Sequence, residues 1–66
     1  MAYSRKEIPL SIVPYIKRAR DVGYHYAPIA AYYVINQGGI ADVVKGRIGP
    51  EIPAADHLPA DFPPLA

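Results

Sequence analysis

The placement of proline restricts this chain more than any other feature, because it limits where regular structure can form. Beyond residue 48, prolines stand at positions 50, 53, 59, 63 and 64. Proline lacks a backbone donor and its ring clashes with the preceding helical turn, so segment 46–66 cannot form a helix or strand of any length. We therefore expect a mainly α-helical region over 11–45, followed by an extended, proline-rich C-terminal strap.

The short length makes a self-sufficient core difficult. The chain has 66 residues, enough for one domain at most. Below about 70–80 residues a single core seldom supplies more than about 3–5 kcal/mol, and natural chains of this size usually add a staple. Disulfides and thiolate zinc sites are excluded because there is no cysteine, and two distant histidines cannot complete a metal site. We expect no metal, no cofactor and no independent globular core, so that a partner or a bilayer supplies the missing surface.

Residues 11–22 have the pattern of a short amphipathic helix. Ser11 can cap its start, and Pro14 is tolerated in a first turn. A basic arm, residues 1–10, precedes the helix and is expected to be extended. Apolar side chains recur at three- and four-residue steps, which places them on one stripe: Ile12, Tyr15, Ile16, Ala19 and Val22.

Three cations of this helix fall mostly outside the apolar stripe. They are Lys17, Arg18 and Arg20. We predict that they contact phospholipid headgroups, and a solvated helix face is the alternative. Nucleic acid is not an expected partner, because the pI of about 8.0 is below that of typical basic footprints.

A bend is expected near residues 23–28, where Gly23 can end one helix and Pro28 can open the next. The second helix is predicted over about 28–45. It contains most of residues 27–44, a stretch without Lys or Arg that would measure about 27 Å as a helix. That length permits a single membrane span, although Asn36, Gln37 and Asp42 would then have to face protein. The alternative is a helix buried against a protein partner.

The proline-rich tail carries apolar side chains where a solvated linker would carry serine, glycine and lysine. They can act as anchors for a polyproline-like strap laid in a partner's groove, and disorder is the alternative. Together with polar, aromatic and small residues of the second helix, they make up the predicted partner-docking set: Tyr32, Tyr33, Asn36, Gly38, Ile52, Leu58, Phe62 and Leu65.

Charge is distributed unevenly along the chain. Residues 1–47 hold all seven basic side chains and three acidic ones, a net charge of +4, whereas the tail carries −3. This division suggests two different neighbours. No nucleophile with an orienting base, paired carboxylate or cofactor fingerprint is present, so we expect neither enzymatic activity nor a small-molecule substrate.

The segment Tyr26-Ala-Pro-Ile-Ala-Ala-Tyr-Tyr33, followed by glycine, alanine and Asp42, resembles the single membrane helix of the accessory i/j subunit of mitochondrial ATP synthase. Members of that family are short and have an extended C-terminal arm. This resemblance implies an accessory subunit of an ATP synthase or respiratory complex in the mitochondrial inner membrane, in contact with larger subunits and phospholipid.

A second resemblance covers about 20 positions. The segments Pro14-Tyr-Ile-Lys-Arg-Ala-Arg-Asp-Val22 and Pro28-Ile-Ala-Ala-Tyr-Tyr33, with His25 between them, are similar to the opening helix pair of the Vta-type ESCRT adaptor. Such adaptors bind ESCRT-III tails and stimulate the disassembly ATPase. The later helices of that module have no counterpart here, which departs from the family.

These observations lead to one functional prediction with an alternative. We expect a non-catalytic accessory subunit that stabilises a large assembly, with the mitochondrial inner membrane as its setting. The alternative is a cytoplasmic or endosomal interaction module, either an ESCRT-adaptor-like helical fragment or a minor component of a viral or other large particle.

Overall fold

Three α-helices and a long irregular tail make up the fold of residues 8–65. The computed structural model describes residues 8–65. It contains α1 (Val13–Asp21), α2 (Tyr26–Tyr33) and α3 (Gln37–Val44), and a 3₁₀ turn (Leu10–Ile12) leads into α1. No strand occurs within residues 8–65. The predicted mainly α-helical class is therefore confirmed, while the predicted basic arm lies largely in residues 1–7, outside the described residues.

The helix predicted over 11–22 is present as α1, but its start differs. Pro9 has extended backbone angles, and the amide of Ile12 donates to the Pro9 carbonyl, which closes the 3₁₀ turn. Ile12 occupies the N-cap position without a side-chain capping bond, so the prediction that Ser11 caps the helix is wrong. Pro14 lies in the first turn, where its missing N–H costs nothing.

The predicted bend between the first two helices is also present. α1 ends at Asp21, and Gly23 follows with a φ of +108°, a value that favours glycine. The amide of Tyr24 then donates to the carbonyl of Ala19, which turns the chain away from the helix axis. The next helix begins at Tyr26, and Pro28 lies in its first turn.

The single helix predicted over 28–45 is wrong, because the chain breaks it into α2 and α3. Val34 adopts the left-handed conformation, with φ 56° and ψ 50°, and the amide of Ile35 returns to the carbonyl of Ala30. Asn36 then starts α3 by accepting a hydrogen bond from the Gly38 amide at 2.7 Å. The side-chain cap satisfies an amide that a continuous helix would have paired with a carbonyl.

Each of these two helices has eight residues, about 12 Å of helical rise. Within residues 8–65, no helix combines the length and the apolar character needed to cross a membrane.

The chain has a hydrophobic core of its own, which corrects the expectation that it would have none. α3 packs against both α1 and α2. The radius of gyration is 10.6 Å, close to the value of about 11 Å expected for a folded chain of this length. Apolar side chains from all three helices and the segments around them are buried together: Ile8, Val13, Ile16, Ala19, Tyr24, Ile29, Ala30, Ile35, Ile40 and Val43.

The tail folds back over the helices. Its described part lacks regular structure, but it packs on this chain's own core through Ile48, Ile52, Leu58 and Phe62. The amide of Ala55 donates to the carbonyl of Pro14 at 2.9 Å, and the Lys17 ammonium donates to the carbonyls of Gly49, at 2.8 Å, and Ile52. The extended strap predicted from the prolines therefore covers the N-terminal half of the same molecule.

Candidate functional site

The three cations of α1 differ in their surroundings. Lys17 binds two tail carbonyls. The Arg20 guanidinium donates to the Tyr24 carbonyl at 2.6 Å and lies 4.9 Å from the centre of the Tyr26 ring, a cation–π distance. Arg18 is half-buried. Two of the three charges thus interact with the chain itself, and the predicted headgroup contact remains a prediction.

Three tyrosines from the bend and α2 surround one phenylalanine of the tail. We call Tyr24, Tyr32 and Tyr33 the tyrosine cradle. Their ring centres lie 5.0, 4.5 and 6.3 Å from that of Phe62, and the Tyr24 ring meets it edge to face. Such separations are within the range in which aromatic pairs attract one another. The Phe62 ring therefore lies next to three tyrosine rings of the cradle.

The cradle also contacts the residues on either side of Phe62. The Tyr24 hydroxyl donates to the carbonyl of Pro63, and the Tyr32 hydroxyl donates to Asp61 Oδ1 at 2.6 Å. Bonding to the Asp61 carboxylate raises the pKa of Tyr32, because the proton is held between two oxygens. Three consecutive tail residues are thus each contacted by a tyrosine.

Tyr33 differs from the other two tyrosines of the cradle. Its hydroxyl oxygen is buried and has no hydrogen-bond partner within residues 8–65. Burial, with a smaller contribution from neighbouring tyrosines and Asp61, raises its pKa from 10.0 to about 12. The phenol is therefore held in its neutral form, and its ring contributes apolar area.

A second surface lies along α2 and the break that follows it. It is an open groove lined by Ala27, Ala30, Ala31, Val34 and Ile35, with Asn36 and Gln37 at one end, and we call it the α2 groove. Ala27 and Ala31 are exposed, whereas Ala30 and Ile35 are buried beneath them. Val34 is 52% exposed although its backbone has the left-handed conformation. The groove can receive apolar side chains of another protein, because most of the side chains that line it are small.

Four of the five remaining predicted docking residues have structural roles. Asn36 and Gly38 form the cap of α3, and Ile52 and Leu58 pack against the core. Leu65 is 54% exposed near the end of the described tail. The structure brings Tyr32, Tyr33 and Phe62 together, which the spacing along the chain did not indicate. Contact of these residues with a partner remains a prediction.

Sequence reasoning missed two members of the cradle contact, Tyr24 and Asp61. Tyr24 is absent from the predicted docking residues, and Asp61 enters the sequence analysis only through the net charge of the tail. The order Asp61-Phe62-Pro63, in which an aromatic residue is flanked by groups that accept hydrogen bonds, was the available signal. Its partner could not be read from the sequence, since Tyr32 and Asp61 are 29 positions apart.

Comparison with known proteins adds no relative. No family model, no curated protein and no solved structure matches this chain.

Proposed function

We propose that this protein is a non-catalytic accessory subunit that docks on a larger assembly through the α2 groove. The observation that supports this most directly is the conformation of Val34. A β-branched residue with positive φ is a genuine outlier, and the left-handed region costs an L-residue about 1–2 kcal/mol. Strain of this kind concentrates at functional positions.

The fold itself offers Val34 little compensation. About half of the side chain stays in solvent, so its packing within this chain returns only part of the apolar free energy. Glycine or asparagine would end α2 at this point with less backbone strain. A valine is explained if its side chain packs against another protein.

The shape of the groove favours a helix as the docked element. Ala27 and Ala31 lie one turn apart on α2, and Val34 continues the same exposed side. Small side chains on one helix let a second helix pack closely, with the two helix axes about 8 Å apart, the lower limit of the usual 8–10 Å. The docked element we propose is therefore a helix of a larger subunit.

The setting of this assembly remains a prediction. The mitochondrial inner-membrane complex implied by the first resemblance is our first candidate. A soluble interaction module, ESCRT-adaptor-like or part of a large particle, is the second. Both use the same groove, so the experiment below tests docking in either setting and identifies the parent assembly from the subunits that migrate with the chain.

The test is native electrophoresis of tagged, full-length chain expressed in its source cells. Val34→Asn keeps a residue type that tolerates the left-handed conformation and removes the apolar side chain. We expect the variant to fold at least as stably as the wild type and to lose its migration with the large assembly.

Val44→Asn is the matched control, because Val44 is also an exposed valine, 41% accessible, at the end of α3 and outside the groove. It should migrate with the assembly as the wild type does. Retention of Val34→Asn in the assembly, or equal loss of both variants, would rule out the α2 groove as the docking surface.

A further inference from the structure

We propose that the tyrosine cradle is a peptide-recognition site for the sequence Asp-Phe-Pro, and that two copies of this chain bind each other by exchanging their tails through it. In the structure the cradle holds the chain's own segment, Asp61-Phe62-Pro63. In the exchanged pair, each cradle holds the same segment of the other copy. This surface is separate from the α2 groove, so the inference does not depend on the proposed function.

The cradle contacts its occupant at three positions and selects the side chain at two of them. The Asp61 carboxylate accepts the bond of the Tyr32 hydroxyl, and an aromatic ring fills the space among the three tyrosine rings. At the third position the Tyr24 hydroxyl bonds a main-chain carbonyl, which fixes the direction of the chain without selecting a side chain. A combination of main-chain bonds and side-chain pockets is how peptide-binding domains obtain affinity and specificity together.

The bound segment can be exchanged because few other contacts hold the end of the tail, where Leu65 lies beside Gly23. Asp61, Pro63, Pro64 and Leu65 are exposed, and a turn closed by the Phe62 amide and the Pro59 carbonyl precedes the segment. Lys17 and Pro14 of α1 hold the tail at Gly49 and Ala55, which precede this segment in the sequence. The last part of the tail can therefore leave while the rest stays in place.

A second copy is the occupant that the chain itself provides. Exchange re-forms the same contacts between two molecules. Two terms oppose it: the entropy lost on association, and competition from the chain's own tail. A segment held by a short flexible linker has an effective concentration in the mM range at its own binding site. Charge favours the encounter, since the tail is acidic and the first 47 residues are basic. The wild type is thus expected to be monomeric in dilute solution and to pair as its concentration rises.

Two complementary full-length variants test the exchange. Phe62→Ala keeps the cradle but has a tail that cannot fill it, and Tyr32→Ala keeps the tail but has a disabled cradle. Each variant alone should remain a monomer of about 7.2 kDa. Mixed at about 200 µM, they should form a one-to-one complex of twice that mass, because the intact tail of Tyr32→Ala fits the vacant cradle of Phe62→Ala. This concentration is below the mM range in which a tethered tail competes for its own cradle.

Light scattering coupled to size-exclusion chromatography measures this mass, and circular dichroism confirms that each variant is folded. A mixture of folded variants that stays at the monomer mass overturns the proposal. Pairing of either variant alone to the same extent as the mixture also overturns it, because the contact would then lie elsewhere.

A second measurement uses the wild-type chain, so that the proposal can be tested even if a variant does not fold. A synthetic peptide of residues 57–66, in large excess over the isotopically labelled chain, should displace the chain's own tail. The NMR ring signals of the chain's Phe62 should then move toward those of an exposed phenylalanine, because its contacts with the tyrosine rings are taken over by the peptide. The same peptide with Ala in place of Phe62 is the control and should leave them unchanged. Equal effects of the two peptides, or no effect of either, would contradict recognition by the cradle.

Discussion

Two glycines with positive φ lie where the tail begins, and only one of them, Gly49, is closely packed against the core. Gly49 has a φ of +57°, and a Cβ built on it would lie 2.8 Å from Ile52 Cδ1 and 3.3 Å from Val13 Cγ1. Gly46 has a φ of +82°, but its nearest neighbour would be Pro50 Cβ at 3.8 Å. Both positions favour glycine for the backbone, and only Gly49 also needs the space.

Alanine at these two positions should separate the two effects. We expect Gly46→Ala to lower the free energy of unfolding by about 1 kcal/mol, the cost of the left-handed backbone alone. Gly49→Ala should cost about 2–3 kcal/mol, because Val13 is fully buried and Ile52 has to move as well. Urea unfolding measures both, and equal losses would show that the contact at Gly49 relaxes freely.

The buried phenol of Tyr33 gives a stability that depends on pH. The folded chain holds the Tyr33 proton up to a pKa of about 12, whereas an unfolded tyrosine releases it near 10.0. The contribution is therefore fully present below about pH 10 and is lost as the pH rises toward 12. Tyr32, whose pKa is raised as well, acts in the same direction.

Tyr33→Phe should have two measurable effects. At neutral pH it removes a buried hydroxyl without a partner in the described chain, and we expect a gain of about 1 kcal/mol in unfolding free energy. Between pH 10 and 12 its stability should fall less than that of the wild type. Urea midpoints across this range test both effects, with Tyr26→Phe as the control. A loss of stability at neutral pH would indicate that the hydroxyl is bonded in solution.

At the scale of elements, Lys17 is the main polar link between α1 and the tail. Its ammonium donates to the carbonyls of Gly49 and Ile52, the first and last residues of one turn. Hydrogen bonds made by charged groups contribute about 1.5–3 kcal/mol in mutational series. A single side chain therefore positions the first third of the tail over α1.

Lys17→Met retains most of the aliphatic stem and removes the ammonium. We expect it to lower the free energy of unfolding by about 2 kcal/mol, because the Gly49 and Ile52 carbonyls lose a charged donor, although the Gly49 carbonyl still accepts from the Ile52 amide. Lys45→Met, at the exposed end of α3, is the control and should change stability by less than about 0.5 kcal/mol. Guanidinium unfolding of the two variants measures the difference. Equal stability of the two would show that apolar contacts alone hold the tail.

Not every element was equally readable from the sequence. α1 was predictable, because Ile16 and Ala19 of the predicted stripe follow helical spacing and are fully buried. The stripe was only partly right, since Val22 is 39% exposed and the fully buried Val13 was not included in it. The break between α2 and α3 was not predicted. The run from Ala27 to Val44 is apolar enough for one helix, and Asn36 was interpreted as a polar group within it rather than as the start of another. The sequence alone does not distinguish an asparagine that caps a helix from one that lies within a helix, because the difference is in the backbone conformation.

At the scale of the whole molecule, the core is small but continuous. Its largest fully buried side chains, Ile16, Ile29 and Ile40, come one from each helix. We expect the isolated chain to unfold in a single cooperative transition, with a free energy of about 3–5 kcal/mol. Far-ultraviolet circular dichroism, which reports the helices, and methyl NMR signals of the three isoleucines should then give the same urea midpoint. Helical signal that persists after the methyl signals collapse would contradict this.

The sequence by itself determined the helical character of the first two thirds, the bend after Gly23 and the irregular tail, since each follows from local preferences of apolar spacing, glycine and proline. Only the tertiary structure decided where the tail lies and which side chains it meets. Contacts such as Phe62 with the tyrosine cradle join residues far apart along the chain, and no local preference encodes them. The tail's apolar residues were therefore recognised as anchors, while the surface they cover proved to be the chain's own.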